Sequence, residues 1–205
     1  IPLLAIALIY FMIPQAASNP ANWLSAILCV IFIQQAAKLL FGGDPKRACF
    51  NAGFTIGIMT LLSSSNLFFI VALIAVLLIS GQFNIKRLLL SLIAVALPAY
   101  FLWILAFTLG TGGHAHLHST FDPSFSFLAN LTDWNTVGFL SILSISVLIA
   151  HMETRMASTM RERKKWQFEL AMFFCVIIAA FFSSPSGVAV VGAIPSAIIF
   201  SRVMA

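Results

Sequence analysis

The chain has 205 residues, of which 61% are hydrophobic and only 8% are charged. An average soluble domain is about 45–50% apolar and about 25% charged. One core of this size cannot hide so much apolar surface from water. The composition therefore excludes an ordinary water-soluble domain and predicts that lipid surrounds most of the chain.

The formal net charge of +5 arises from eleven Lys and Arg against six Asp and Glu. The basic residues fall at every second connection between apolar runs, which is the positive-inside pattern of membrane proteins. This placement argues against nucleic acid as a partner and predicts membrane lipids instead. The cysteines Cys29, Cys49 and Cys175 each lie in or beside an apolar run, which predicts buried thiols rather than a disulfide framework.

Eight apolar runs follow one another along the chain and predict an all-α, polytopic transmembrane helical bundle of about eight segments. These runs are 1–13, 22–41, 48–62, 66–81, 88–109, 136–152, 167–182 and 188–203. The first run is shorter than the roughly 20 residues that a crossing needs. We therefore expect residues 1–205 to be a single transmembrane domain within a longer natural chain.

Several residues between and within these runs predict helix ends. Gly42 predicts the end of one helix, Asp44 the cap of the next helix, and Pro45 its first position. Three serines at 63–65 separate the third and fourth runs, and either two full crossings or one re-entrant hairpin fits this break. The alternation of charge favours two crossings. Pro98 predicts a kink in the fifth run.

The basic residues also predict the orientation. Nine of the eleven lie in the connections after the second, fourth and sixth runs, which include a turn at 82–87 and a loop at 153–166. Lys38 and Arg202 lie at helix ends on the same side. Because cationic loops stay in the cytoplasm, both ends of the chain are predicted inside. The loop 110–135 is predicted to be periplasmic and to contain a short interfacial helix.

Aromatic and amide side chains add two expectations. Trp23 and Trp134 fit an outer aromatic belt, and Trp166 fits an inner one. Gln34 and Gln35 lie inside the second run, where they either line a polar path or bond locally to the helix backbone.

Three histidines alternate in the periplasmic loop, at His114, His116 and His118. On an extended strand, alternate side chains point the same way. Three imidazole nitrogens, together with Asp122, match the ligands of zinc or copper. The competing interpretation is a glycine-led surface loop that binds metal weakly. Zinc or copper is therefore an open cofactor prediction.

Two further groups of residues predict contacts rather than chemistry. Gly53 and Gly57 form a face of small residues, with Asn51 adding a polar contact, and such a face lets another helix approach closely. Whether that helix belongs to this chain or to a partner stays open. The second group consists of cations that match anionic lipid headgroups but also suffice as an ordinary topology signal. These cations are Arg161, Arg163, Lys164 and Lys165.

Two stretches resemble a known family. They are KRACFNAGFTIGI at 46–58 and KRLLLSLIAVALPAY at 86–100. Together they resemble an uncharacterised multi-pass inner-membrane protein family of Bacteroidota, over roughly the second to fifth runs. The resemblance implies the inner membrane of a Gram-negative bacterium. That family has no established activity, so the resemblance transfers no catalytic residue.

A weaker likeness is to the membrane glycosyltransferases that use polyprenyl-phosphate sugars. In those enzymes, too, a short basic turn leads into a helix rich in Gly and Ala. They place a catalytic acid in the first outer loop, whereas the loop 15–21 has no acid here. The acids predicted to face outward are Asp122 and Asp133, which are therefore the catalytic candidates on this interpretation.

Three functions fit these observations, and whether the protein is an enzyme stays open. The first is a non-catalytic subunit of a larger membrane assembly, with other membrane proteins as partners. The second is an enzyme acting on lipid-linked substrates at the loop 110–135. The third is a transporter of small solutes, which the lack of a charged residue near mid-membrane makes weaker. We rank the subunit first.

Overall fold

The computed structural model describes residues 20–42, 44–109, 152 and 159–182. Within these residues the chain forms α-helices and one 3₁₀ helix, without a strand, which confirms the all-α prediction for this part. The helices are α1 (Pro20–Phe41), α2 (Pro45–Leu62), the 3₁₀ helix (Ser64–Phe68), α3 (Phe69–Ile79), α4 (Ile85–Thr108) and α5 (Met160–Phe182). The predicted segments at 1–13 and 188–203, and the segment at 136–152 except for Met152, lie outside the described residues.

Two helices of the described part are long and apolar enough to cross a membrane: Trp23–Phe41 within α1 and Ile85–Thr108 of α4. A core helix of a soluble protein passes the same test, but it is mostly buried. Here only 33% and 17% of the most apolar stretches are buried. The two helices therefore indicate membrane association.

The turn between α1 and α2 has the predicted ends. Gly42 follows α1 with a φ of +107°, a backbone conformation that favours glycine. The Asp44 side chain accepts a hydrogen bond from the Lys46 backbone N–H at 3.1 Å, and Pro45 occupies the first position of α2. The cap and the proline thus start α2 where the sequence predicts.

The break after α2 differs from the prediction in one respect. α2 ends at Leu62, and the Ser63 backbone N–H donates to the Met59 carbonyl at 3.0 Å. The fourth segment was expected to begin at Asn66, but Asn66 lies in the 3₁₀ helix and α3 begins only at Phe69. The reason is that the Asn66 side chain bonds back to α2 and holds a tight turn there.

α4 begins earlier than predicted. The turn expected at 82–87 ends at Asn84, whose side chain accepts from the Lys86 backbone N–H at 3.0 Å and caps the helix. Lys86 and Arg87 are therefore helical rather than part of the turn. α4 continues through Pro98 for 24 residues, or about 36 Å, longer than the roughly 30 Å of a bilayer core.

α5 corrects the predicted loop at 153–166, because residues 160–166 are helical. A capping box explains the early start. The Glu162 backbone N–H donates to the Thr159 hydroxyl at 3.3 Å, and the Thr159 backbone N–H donates to the Glu162 carboxylate at 3.4 Å. The Thr-x-x-Glu pattern is present in the sequence, but the basic residues around it favoured the prediction of a loop.

Replacing Thr159 with alanine is expected to lower the free energy of unfolding by about 1 kcal/mol, because α5 loses its cap. Chemical unfolding in mixed micelles measures this change. Glu162→Gln retains a side-chain acceptor and should stay within about 0.5 kcal/mol of the natural chain. Equal losses for the two variants would contradict the capping role.

The core lies where α1, α2, α3 and α5 meet. Phe32 of α1 packs edge-on against Phe69 of α3, with ring centroids 5.9 Å apart. The three cysteines are free and buried, as the sequence predicts. Trp166 was expected in an inner aromatic belt, but its exposed fraction is 8% and it packs in this core. The early start of α5 places it on a helix face that contacts the bundle.

α2 and α4 run side by side in the same direction. The Cys49 carbonyl of α2 lies 3.5 Å from the Ser91 hydroxyl of α4. One turn further along α2, Gly53 faces the carbonyl of Ser91 and the side chain of Ala94, and two turns along Gly57 faces Pro98. Because the contact positions rise together along both helices, the helices are parallel.

Candidate functional site

Gly53 and Gly57 form the closest approach between α2 and α4. A Cβ atom added at Gly53 would collide with the Ser91 carbonyl oxygen and lie 3.1 Å from the Ala94 Cβ. A Cβ atom added at Gly57 would collide with the Val95 carbonyl oxygen and lie 2.9 Å from the Pro98 Cγ. The two backbones therefore touch, and the helix that approaches this face belongs to the same chain.

The geometry places a Cα–H bond of each glycine against a carbonyl oxygen. The hydrogen that replaces the Cβ of Gly53 points at the Ser91 oxygen, and that of Gly57 points at the Val95 oxygen. Such Cα–H···O contacts recur at close helix–helix interfaces and stabilise them weakly. Two contacts one helical turn apart set the register of α2 against α4.

Asn51 does not share this face, because its side chain is exposed. The buried Thr55 hydroxyl donates to the Asn51 carbonyl of its own helix at 2.8 Å. The polar group at the interface is instead Ser91, which is 1% exposed and donates to the Arg87 carbonyl at 3.0 Å. The expected polar contact from Asn51 is thus replaced by one from α4, which sequence spacing alone did not indicate.

Cations gather at one end of the unit formed by α1, α2 and α4. Lys38 lies in the last turn of α1, and two cations lie in the first turn of α2 and two in that of α4. Because α1 and α2 join by a short turn and α2 is parallel to α4, these ends coincide. The Arg47–Asp44 ion pair at 3.4 Å is exposed at both side chains, so it adds little stability.

The placement of these cations opposes the helix dipole. The start of a helix favours negative charge. Asp44 caps α2, yet the first turns of α2 and α4 contain basic residues and no acidic one. α5 likewise begins with basic residues around Glu162. Helix stability therefore does not account for this placement. It is the placement expected from the positive-inside pattern of the sequence, and the orientation of these ends stays a prediction.

The residues predicted to contact anionic lipid all lie on α5. Arg161 and Lys165 are helical, Arg163 is exposed and Lys164 is half-buried. A lipid contact at these residues stays a prediction.

A polar contact at the opposite end of the unit was missed by sequence reasoning. Asn66 is 5% exposed, and its Nδ2 donates to the Met59 carbonyl at 2.9 Å and to the Ser25 hydroxyl at 3.4 Å. Ser25 is 2% exposed. The side chain thus ties the 3₁₀ helix to both α1 and α2. The sequence feature that could have indicated this contact is a single amide residue, Asn66, between the three serines and the following apolar run.

The two glutamines of α1 have different surroundings. Gln34 is exposed, whereas Gln35 is half-buried. Neither side chain is hydrogen-bonded to its own helix backbone within the described part, and the choice between a polar path and local bonding stays open. The exposed amide of Gln34 lies on a face of α1 whose other exposed side chains are apolar, apart from Lys38 at the basic end.

The candidates for chemistry lie outside the described residues. They are His114, His116, His118, Asp122 and Asp133. In the part that is described, no three His, Cys, Asp or Glu residues lie close enough together to hold a metal ion.

Comparison of the chain with family models, with curated proteins and with solved structures found no match. The two resemblances noted in the sequence therefore remain expectations. Three features of the described residues bear on function: the contact of Gly53 and Gly57 with the parallel helix α4, the cations at one end of α1, α2 and α4, and the exposed face of α1.

Proposed function

We propose that this chain is a multi-pass protein of the bacterial inner membrane and a non-catalytic subunit of a larger membrane assembly. The observation that carries the proposal is the exposed amide of Gln34 within the apolar surface of α1. An amide in that position is poorly suited to lipid and well suited to another helix. The buried polar side chains of Thr55, Ser91 and Asn66 all bond to helix backbone, as packing requires.

The spacing of charges and tryptophans supports full crossings. On α1, Trp23 and Lys38 are separated by about 22 Å at 1.5 Å per residue. On α4, Lys86 and Trp103 are separated by about 25 Å on the same basis. Both distances approach the thickness of a bilayer core. We infer that α1, α2 and α4 cross the membrane with their basic ends in the cytoplasm, within the arrangement of about eight segments.

Cysteine labelling is expected to find the two ends of α4 on opposite sides. A membrane-impermeant maleimide should label Lys86→Cys in inverted vesicles and Leu109→Cys, which replaces a side chain 67% exposed, in spheroplasts. The native cysteines are at most 1% exposed, so their background should be low. Labelling of both variants from one side would rule out a crossing by α4.

Native mass spectrometry of the full-length protein in mild detergent tests the assembly. The proposal expects more than one polypeptide in the main species, either copies of this chain or stoichiometric partners. A single, stable and fully functional chain would overturn it. Release of the protein from membranes at alkaline pH would overturn the integral membrane location as well.

A further inference from the structure

One face of α1 has exposed side chains at the spacing that is typical of a coiled coil. Its positions alternate by three and four residues, as a and d positions do in parallel helix pairs. All of them are exposed: Leu24, Ile27, Ile31, Gln34, Lys38 and Phe41. Ile27 is 59% exposed and Ile31 is 39% exposed. Among the residues that the structure describes, the face is therefore uncovered along the whole helix.

The exposed face of α4 has a different character. From Leu92 to Phe107, its exposed side chains are all aliphatic or aromatic. Its aromatic rings stack near the far end of the helix, with 6.4 Å between the centroids of Tyr100 and Trp103 and 6.1 Å between those of Trp103 and Phe107. Aromatic rings of this kind are typical of the membrane–water interface. This face suits lipid.

Gln34 makes the α1 face unsuited to lipid. It lies about 6 Å from Lys38 and about 16 Å from Trp23 along the helix, within the hydrocarbon layer. Its amide carries two donor hydrogens and an acceptor oxygen, and within the described part of the chain it has no hydrogen-bond partner. Lipid offers none. A protein surface of matching polarity at that depth would satisfy it.

We propose that two copies of this chain pair through α1 in parallel, with their Gln34 amides hydrogen-bonded to each other. This proposal rests on the proposed function as a membrane subunit and names the partner. Both copies insert with the same orientation, so a two-fold axis along the membrane normal places the two Gln34 side chains at one depth. An amide is both donor and acceptor, and is therefore self-complementary.

Lys38 lies one turn closer to the basic end on the same face. In a parallel pair the two Lys38 side chains are also near each other, which is unfavourable if they are desolvated. Lysine at a helix end extends its ammonium group into the headgroup region, where water and salt screen the repulsion. The repulsion between the two Lys38 side chains therefore lowers the stability of the pair without preventing its formation.

Cysteine cross-linking in native membranes tests the pairing. Ile27→Cys and Ile31→Cys should each give disulfide-linked dimers when oxidised with copper phenanthroline. Ile93→Cys on α4 is the matched control, because Ile93 is as exposed as Ile27, at 59%, and lies at the depth of Ile31, about 10 Å from the basic end. It should give no more dimer than the unsubstituted chain, whose cysteines are buried.

The role of the amide is tested in the Ile31→Cys background. Gln34→Leu should weaken self-association about 3- to 30-fold, the range for one interhelical amide hydrogen bond in lipid. Gln34→Asn keeps an amide and should retain most of the cross-linking. Helix content by circular dichroism should be unchanged in both variants, because the replaced side chain is on the surface.

Each outcome bears on a different claim. Equal cross-linking at Ile27→Cys and Ile93→Cys, or an unchanged yield in Gln34→Leu, overturns the pairing through α1. No cross-linking in a chain that resists alkaline extraction and co-purifies with another protein also overturns the pairing, while the subunit function survives. Loss of the chain from membranes at alkaline pH overturns the proposed function itself.

Discussion

A methyl group added at Gly57 is expected to lower the free energy of unfolding by about 3 kcal/mol, near the upper end for overpacking. The new Cβ would collide with the Val95 carbonyl oxygen and meet the Pro98 ring at 2.9 Å. Neither neighbour is the end of a flexible side chain, so α2 and α4 must separate to accommodate the methyl group.

The intrinsic helix preference of alanine acts in the opposite direction. Alanine favours a helix interior by about 1 kcal/mol over glycine, so the measured loss understates the collision. Gly53→Ala should also destabilise, since its Cβ would collide with the Ser91 carbonyl oxygen. The double variant should lose less than the sum of the two single losses, because the first substitution already separates the helices.

Equilibrium unfolding in mixed micelles of mild detergent and dodecyl sulfate measures these losses. Asn51→Ala is the matched control, because it changes an exposed position on the same helix, and it should stay within about 0.5 kcal/mol. A Gly57→Ala variant as stable as the Asn51→Ala variant would show that α2 and α4 do not touch at this point.

Replacement of Asn66 with aspartate is expected to destabilise the protein by up to about 4 kcal/mol at pH 7. The Asn66 side chain is nearly isosteric with aspartate, but its Nδ2 donates to the Met59 carbonyl at 2.9 Å. A carboxylate has no hydrogen to donate there. The variant can restore a donor by keeping the carboxyl protonated. For a carboxyl with an ordinary Asp pKa of about 3.9, this costs about 4 kcal/mol at pH 7, so the loss of stability cannot exceed that amount by much.

Asn66→Leu should lose less than the aspartate variant, about 1–2 kcal/mol, because it removes the hydrogen bonds without introducing a charge. The Met59 carbonyl still accepts from the Ser63 backbone N–H at 3.0 Å. Thr60→Val is the control, since within the described residues the Thr60 hydroxyl bonds to its own helix alone, at the Ile56 carbonyl. Thermal unfolding followed by tryptophan fluorescence ranks the three variants. An aspartate variant as stable as the leucine variant at pH 7 would contradict a buried donor role for Asn66.

Helix positions were predictable in the described part because their signals are local. Gly42, Asp44 and Pro45 act on their own backbone, so the turn between α1 and α2 is readable from the sequence. The predicted helix boundaries were wrong where a side chain makes a helix begin earlier or later in the chain than hydropathy predicts. Asn84 and Thr159 cap α4 and α5 within stretches that basic charge made resemble loops, and Asn66 delays α3.

The amino-acid sequence by itself determined the helical class of the described part, the apolar surfaces of α1 and α4, and the end of each helix at which cations gather. These properties depend on composition and on contacts within a few residues. The tertiary structure alone decided that Gly53 and Gly57 face α4 of the same chain, that Asn66 reaches Ser25, and that Gln34 lies on an open face. The physical reason is that each depends on the rotation of one helix against another, which neighbours distant in sequence impose.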